Sequence, residues 1–256
     1  MLAGHEDIVK TLLETAKVDV HAANNDSQTP LFWAARKGHD RTVQLLLETG
    51  KADVNAADKD RETPLYWAAY KGHDKVAKLL LETGKADVNT ADKYGQTPLH
   101  RATFAGDGKV VQLLLDTGKV DVNAADKNGQ TPFYRALSRG NDKVVQLLLE
   151  TGKVDVNAAD TDGSTPLHWA AYEGYDKVVQ LLLETGKIDL DAANNAGETP
   201  LFTTKEKRHK KVVKLLEEAY RREERHHRTN CSCQAGGAYK DLSVAQLFHH
   251  TNFLRT

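Results

Sequence analysis

The sequence predicts an all-α repeat solenoid, a row of helix-turn-helix units joined by β-hairpin-like loops. Three observations lead there. All six prolines of the 256-residue chain follow a threonine, at Pro30, Pro64, Pro98, Pro132, Pro166 and Pro200, so one dipeptide returns every 34 residues. A fixed period of this size marks stacked supersecondary units. Two glycine columns divide each period, one at Gly38, Gly72, Gly106, Gly140 and Gly174, the other at Gly50, Gly84, Gly118, Gly152 and Gly186. Between them runs a stretch such as Val178, Val179, Leu181, Leu182 and Leu183, apolar over more than one face, and a helix of that kind needs cover on both sides. Neighbouring units provide it.

Within a unit such as Thr29-Pro30-Leu31-Phe32-Trp33-Ala34-Ala35, the threonine hydroxyl caps a short helix whose first residue is proline, where a missing N–H costs nothing. The first glycine ends that helix in the left-handed conformation. The second helix opens at Asp40, Asp74, Asp142 or Asp176, where negative charge suits a helix N-terminus. After the second glycine, a Val-Asp-Val-Asn or Ala-Asp-Val-Asn segment alternates like a strand. A turn such as Asp126-Lys127-Asn128-Gly129 reverses the chain into the next unit.

The threonines divide the chain into a partial repeat over 1–28, full repeats over 29–62, 63–96, 97–130, 131–164 and 165–198, a capping repeat over 199–226 and a non-repeat tail over 227–256. A solenoid needs polar outer faces at its ends, and in Lys210 to Glu218 the third leucine of the pattern gives way to Glu217. Arg221, Arg222, Glu223, Glu224 and Arg225 are expected to carry that helix into solvent. At the other end Met1 falls in phase with Ala35 and Ala69, inside a first helix whose Thr-Pro start is absent. Ile8, Leu12 and Leu13 are therefore expected to be exposed, with fraying or association there.

These units resemble the ankyrin repeat. The likeness rests on Thr-Pro-Leu-His at Thr97 to His100 and Thr165 to His168, Gly72-His73, the triple leucine, and Asp-Val-Asn-Ala ahead of an Asp-x-x-Gly turn. It covers almost nine tenths of the chain, with the motifs in order and in phase. Two features depart from it. The usual 33-residue unit gains a lysine after the second glycine (Lys51, Lys85, Lys119, Lys153 or Lys187), and the motif histidine becomes Phe32, Tyr66, Tyr134 or Phe202. The resemblance implies an ankyrin stack that binds a protein partner through a concave groove. The high self-similarity is like that of long fungal arrays, which makes a recognition-array fragment of a larger receptor-like protein one alternative.

Charge separates other classes. Lys and Arg total 35 against 36 Asp and Glu, so the near-neutral chain offers no general field for a nucleic acid. The last 58 residues nonetheless carry 12 basic and 6 acidic side chains. Cys231 and Cys233 are the only cysteines, both in the tail, so no disulfide staples the body and a reducing compartment is expected. No secretory start and no apolar run of about 20 residues is visible. A cytoplasmic protein without a membrane partner is expected. The basic run Lys205-Glu206-Lys207-Arg208-His209-Lys210-Lys211 gives a second alternative, a nuclear regulator masking a transcription factor, although a solvated capping face is the plainer reading of it.

No catalytic constellation emerges, so no enzyme, cofactor, metal or small-molecule substrate is expected. Gly50-Lys51 and Gly84-Lys85 lack the upstream Gly and downstream Ser or Thr of a phosphate loop. His39 and His73 read as turn histidines. His226, His227, Cys231 and Cys233 offer metal-ligand types with only one Cys-x-Cys pair. The added lysines have Glu48, Glu82, Asp116, Glu150 and Glu184 three residues earlier, a pairing expected to cancel most of their field. Leu242, Val244, Ala245, Leu247 and Phe248 could form one short tail helix.

Comparing the units with one another separates scaffold from surface. Four residues after the threonine stand Trp33, Trp67, Arg101, Arg135 and Trp169; three further on stand Arg36, Tyr70, Phe104, Ser138 and Tyr172. That spacing puts both columns on one helix face, and by the resemblance this face lines the groove with hairpin tips such as Asp60, Tyr94, Asn128 and Asp162. Trp, Tyr and Arg often dominate interface energies. The expected partner-binding residues are Trp33, Arg36, Trp67, Tyr70, Tyr94, Arg101, Phe104, Asn128, Arg135, Trp169 and Tyr172, with tryptophans that equally suit packing between first helices.

Overall fold

The computed structural model describes residues 3–15 and 19–234, with side chains over 7–15 and 19–225. In chain order the helices are α1 (Ala3–Glu14), α2 (Pro30–Lys37), α3 (Asp40–Glu48), α4 (Pro64–Lys71), α5 (Asp74–Glu82), α6 (Pro98–Ala105), α7 (Gly108–Asp116), α8 (Pro132–Ser138), α9 (Asp142–Glu150), α10 (Pro166–Glu173), α11 (Asp176–Glu184), α12 (Pro200–Lys207) and α13 (Lys210–Gln234). No strand occurs among the described residues. Even-numbered helices pack on one another in one row, and α1, α3, α5, α7, α9 and α11 form a second. The stack is one compact unit up to Leu216, and α13 from Glu217 onward belongs to another.

Local chemistry sets the helix ends. The hydroxyl of Thr63 accepts the Tyr66 N–H at 3.1 Å and that of Thr29 accepts the Phe32 N–H at 3.2 Å, with proline at the first helical position. Where the motif histidine is kept, the cap is reciprocal. His100 accepts the Thr97 N–H at Nδ1 (3.1 Å) while its Nε2–H donates to the Gln130 carbonyl at the end of the same repeat (3.0 Å). His168 does the same with Thr165 and Glu198. These contacts require a neutral ring, and burial holds the His100 pKa down at about 4.

Between repeats the second helices bury Val76, Leu80, Val110, Val111, Leu114, Val144, Val145, Leu148, Val178, Val179 and Leu182 almost completely. Each such side chain contributes roughly 1.5–3 kcal/mol, and neighbouring repeats supply the cover. The two ends differ. In α1, Ile8 is 56% and Leu12 47% exposed, while Leu13 is half-buried. In α13, Glu217 pairs with Arg221 at 3.7 Å where a leucine stands in the full repeats.

The segment expected to alternate like a strand is an irregular loop, because side chains take the groups that a ladder would use. Asp121 accepts the Asn123 N–H through Oδ1 (3.0 Å). Asn123 then bridges to the next repeat, donating Nδ2–H to the Lys153 carbonyl (2.9 Å) and accepting the Asp155 N–H at Oδ1 (2.9 Å). Asn55, Asn89 and Asn157 make the same two bonds to Lys85 and Asp87, Lys119 and Asp121, and Lys187 and Asp189. The added lysine thus supplies a backbone acceptor at the repeat junction. Its expected acidic neighbours engage other groups: Glu150 accepts from Gln146 at 2.9 Å and Asp116 from Gln112 at 2.7 Å.

The hairpin loops close around an Asp or Asn. Asp126 Oδ1 accepts the N–H groups of Asn128 and Gln130, and the Asp126 N–H donates to the Gln130 carbonyl. Each tip then bonds to the tip before it, as in Thr161 N–H to Asn128 O (3.0 Å) and Lys127 N–H to Tyr94 O (2.9 Å). At Gly129 this approach is so close that a Cβ would meet Asp160 Cα and Thr161 N at 3.0 Å, whereas at Gly197 nothing lies within 4 Å. Both glycines have positive φ, +72° and +75°.

The pair Gly129→Ala and Gly197→Ala therefore separates backbone strain from repeat contact. Both are expected to lose about 1–2 kcal/mol from the left-handed φ, and Gly129→Ala at least about 1 kcal/mol more, read by urea unfolding. Equal losses would show that the tips can separate without cost. The histidines set a pH dependence. With a depressed folded pKa, His100 contributes stability that is complete above about pH 6.5 and is lost as pH falls towards about 4, by about 3 kcal/mol in the limit. In His100→Phe the decline across that window should be shallower in thermal melts; an unchanged slope would place it elsewhere.

Candidate protein-binding surface

The residues four and seven positions after each threonine do meet on one face of the first-helix row, but not all face outward. The Arg36 guanidinium lies 5.0 Å from the Trp33 ring and 4.0 Å from the Trp67 ring. Tyr70 meets Trp67 at 5.6 Å and Phe104 at 6.3 Å, and Arg139 stands 4.0 Å over Phe104. An aromatic and cationic stripe therefore runs across α2, α4, α6 and the end of α8. Ser138 interrupts it. A second, shorter patch holds Trp169 and Tyr172 (5.8 Å), with Lys207 4.0 Å over the Tyr172 ring.

Trp33 and Tyr172 are exposed, at 38% and 41%, and Arg36, Tyr70 and Phe104 are half-buried. Trp67 and Trp169 are also half-buried and serve the packing between repeats. Trp67 meets Phe32 edge-on at 6.3 Å and donates its indole N–H to Glu62 (3.0 Å); Trp169 meets Tyr134 at 5.4 Å and donates to Asp160 (3.3 Å). At the tips Tyr94 and Asn128 are exposed, and their backbone carbonyls join adjacent hairpins.

Arg101 and Arg135 are turned to a different task. Asp92 and Asp126, whose side chains are 0% and 1% exposed, receive them at 3.3 Å and 2.7 Å. Asp92 Oδ2 also accepts the Tyr66 hydroxyl at 2.6 Å, and Arg101 Nε donates to that hydroxyl. Burial raises the Tyr66 pKa above its ordinary value, with the Asp92 bond acting the same way. Burial alone would raise that of Asp126, but Arg135, the N–H groups of Asn128 and Gln130, and Gln96 together hold it below the usual carboxylate range. Sequence spacing places both arginines on the contact face; the buried carboxylates draw their guanidinium groups inward.

The column eight residues after the threonine also matters. Lys37, Lys71, Arg139 and Lys207 place cations over the rings of Trp33, Tyr70, Phe104 and Tyr172, and a comparison of the units could have found them. Phe202, 50% exposed, stands where Tyr66 and Phe133's neighbour Tyr134 are covered by a following repeat. The basic run from Lys205 to Lys211 is a helix-turn-helix corner whose Lys207 and Lys211 contact Tyr172 and Asp176, and His209 meets the Tyr172 carbonyl at 2.9 Å. His39 and His73 precede α3 and α5 as turn residues. No group of three or more metal-ligating side chains occurs among the described residues. The side chains of His226, His227, Cys231 and Cys233, and the segment from Leu242 to Phe248, lie outside them.

Arg135→Ala is expected to cost about 3 kcal/mol, because it strands the buried Asp126 carboxylate. The double variant Arg135→Ala, Asp126→Asn should recover part of that loss in chemical unfolding. No recovery would mean that Arg135 acts through packing alone.

The family model for ankyrin repeats matches residues 1–92, 50–126, 84–160 and 151–229. No curated protein matches the chain. Among solved structures, the ankyrin repeat domain of Bcl-3, a member of the IkappaB protein family, is 30% identical with a TM-score of 0.71, covering 84% of this chain and 93% of that one. The ankyrin repeat protein EF0377 is 27% identical with a TM-score of 0.69, over 73% of this chain and 96% of its own. Motif order, helix pairing and the family match agree: this chain belongs to the ankyrin-repeat family.

Proposed function

We propose that the chain is a protein-binding scaffold whose partner lies across the first-helix face and the hairpin tips. Ankyrin repeats are generally protein–protein interaction modules. The observation that carries the reading here is the stripe of Trp33, Arg36, Trp67, Tyr70, Phe104 and Arg139, in which four rings and two guanidinium groups are in contact across four repeats. Rigid aromatic side chains and arginine give large contact area at low entropic cost, and the stack already holds them in place. Arg101 and Arg135 act beneath the face as positioning residues, through Asp92 and Asp126. The second-helix side has a different character, with exposed lysines that form ion pairs, several of them with an aspartate of the preceding repeat, as in Lys75 to Asp40 (3.7 Å) and Lys109 to Asp74 (3.6 Å).

Affinity capture with mass spectrometry, run with the wild type and with a Trp33→Ala, Arg36→Ala, Tyr70→Ala, Phe104→Ala variant, tests the assignment. The partner's affinity is expected to fall at least about 100-fold, with thermal unfolding still cooperative. A control with Lys78→Ala, Gln112→Ala and Gln146→Ala on the second-helix side should bind as the wild type does. Full binding by the face variant, or loss only in the control, would overturn the assignment.

A further inference from the structure

A cleft of about 270 Å³ opens between α10 and α12, lined by His168, Trp169, Tyr172, Glu198 and Thr203 among others. Its origin is visible in the repeat register. The column occupied by Trp33, Trp67, Arg101, Arg135 and Trp169 ends at Thr203, and the small side chain leaves empty the space that a large one fills in each earlier repeat. From the structure we infer that this cleft is an anchor site for a tryptophan side chain of a protein partner. The inference rests on the protein-binding reading above and adds the identity of one anchor.

The chain itself shows what fits. Several positions around Trp67 have counterparts at or beside the cleft, the indole acceptor among them, although Tyr70, which meets Trp67 at 5.6 Å, corresponds to Glu206. Glu62, which accepts the Trp67 indole N–H at 3.0 Å, corresponds to Glu198. Tyr66, whose ring meets Trp67 edge-on at 6.1 Å, corresponds to Phe202, which is 50% exposed. Lys71, 5.7 Å from the Trp67 ring, corresponds to Lys207. On the preceding repeat, Phe32 and Arg36 correspond to His168 and Tyr172. A buried indole wants an apolar bed and one acceptor for its N–H, and the cleft has both. An arginine suits it less well, because Arg101 and Arg135 rely on the buried Asp92 and Asp126, and Asn194 takes that position here. Lys207 further disfavours a cation. The chain's three tryptophans all lie in the repeats, at 33, 67 and 169, so its own tail has none to offer.

The test uses the full chain, isotopically labelled, titrated with N-acetyl-L-tryptophanamide and followed by amide NMR. Saturable shifts are expected at Trp169, Glu198 and Thr203, with a Kd of about 1 mM for so small a probe. Glu198→Ala should weaken binding by about tenfold, the loss of one hydrogen bond to a charged acceptor. Thr203→Trp should abolish it and raise the Tm by about 2–4 °C, because the new indole occupies the site. Thr203→Phe provides a second blocked form should the tryptophan variant fold poorly. Shifts that persist in both blocked forms, or equal binding of N-acetyl-L-argininamide, would overturn the tryptophan assignment. Sedimentation showing self-association that disappears in Trp33→Ala would also overturn it, by assigning the cleft to a second copy. None of these failures touches the stripe on α2 to α8, which the face variant tests separately.

Discussion

A repeat in this chain cannot finish its own core. Its second helix is apolar on two sides, and residues such as Val110, Val111 and Leu114 disappear from solvent only when a repeat packs on each side. All other features serve that constraint. The close approach is made by glycine at the hairpin tips, the polar loops are joined by the four asparagine bridges, and the Tyr66 hydroxyl meets Arg101 across a junction. Because the stabilisation sits at junctions, stability is approximately a sum over repeats and their interfaces. The ends then become the places where the pattern must change.

The same logic explains why the surface is uneven. A buried carboxylate is costly without a partner, and Asp92 and Asp126 close their hairpins from inside the fold. Each needs a cation, and the arginine nine residues later supplies it. Asp160 takes an indole N–H instead, so Trp169 stands in that column. Aromatic and basic residues in one sequence column thus divide between bonding inward and facing outward according to the loop they stand over. What remains outside is a stripe in which Arg36, Tyr70 and Arg139 lie between or above rings, held in place before any partner arrives.

Membrane association through a spanning helix has no support in the described residues, since no helix there is long and apolar enough to cross a bilayer. The segment from Thr199 departs from the repeat in two places. Glu217 stands where the full repeats have a leucine, while Thr203 and the exposed Phe202 leave an unfilled position in the first-helix row.

The sequence by itself determined the helices, their boundaries and their stacking order, because these follow from local chemistry repeated in phase: threonine caps, proline at the first turn, glycine at the left-handed positions, and leucines on two faces. Tertiary structure alone decided which members of the column four residues after each threonine face outward. Arg101 and Arg135 have the same spacing as Trp33, and only the burial of Asp92 and Asp126 turns them inward. It also decided that the Asp-Val-Asn segment is no strand, because Asn123 finds its partners some 30 residues away. Side chains whose bonding groups lie in another repeat take their orientation from packing, and a period in the sequence carries no distance between repeats.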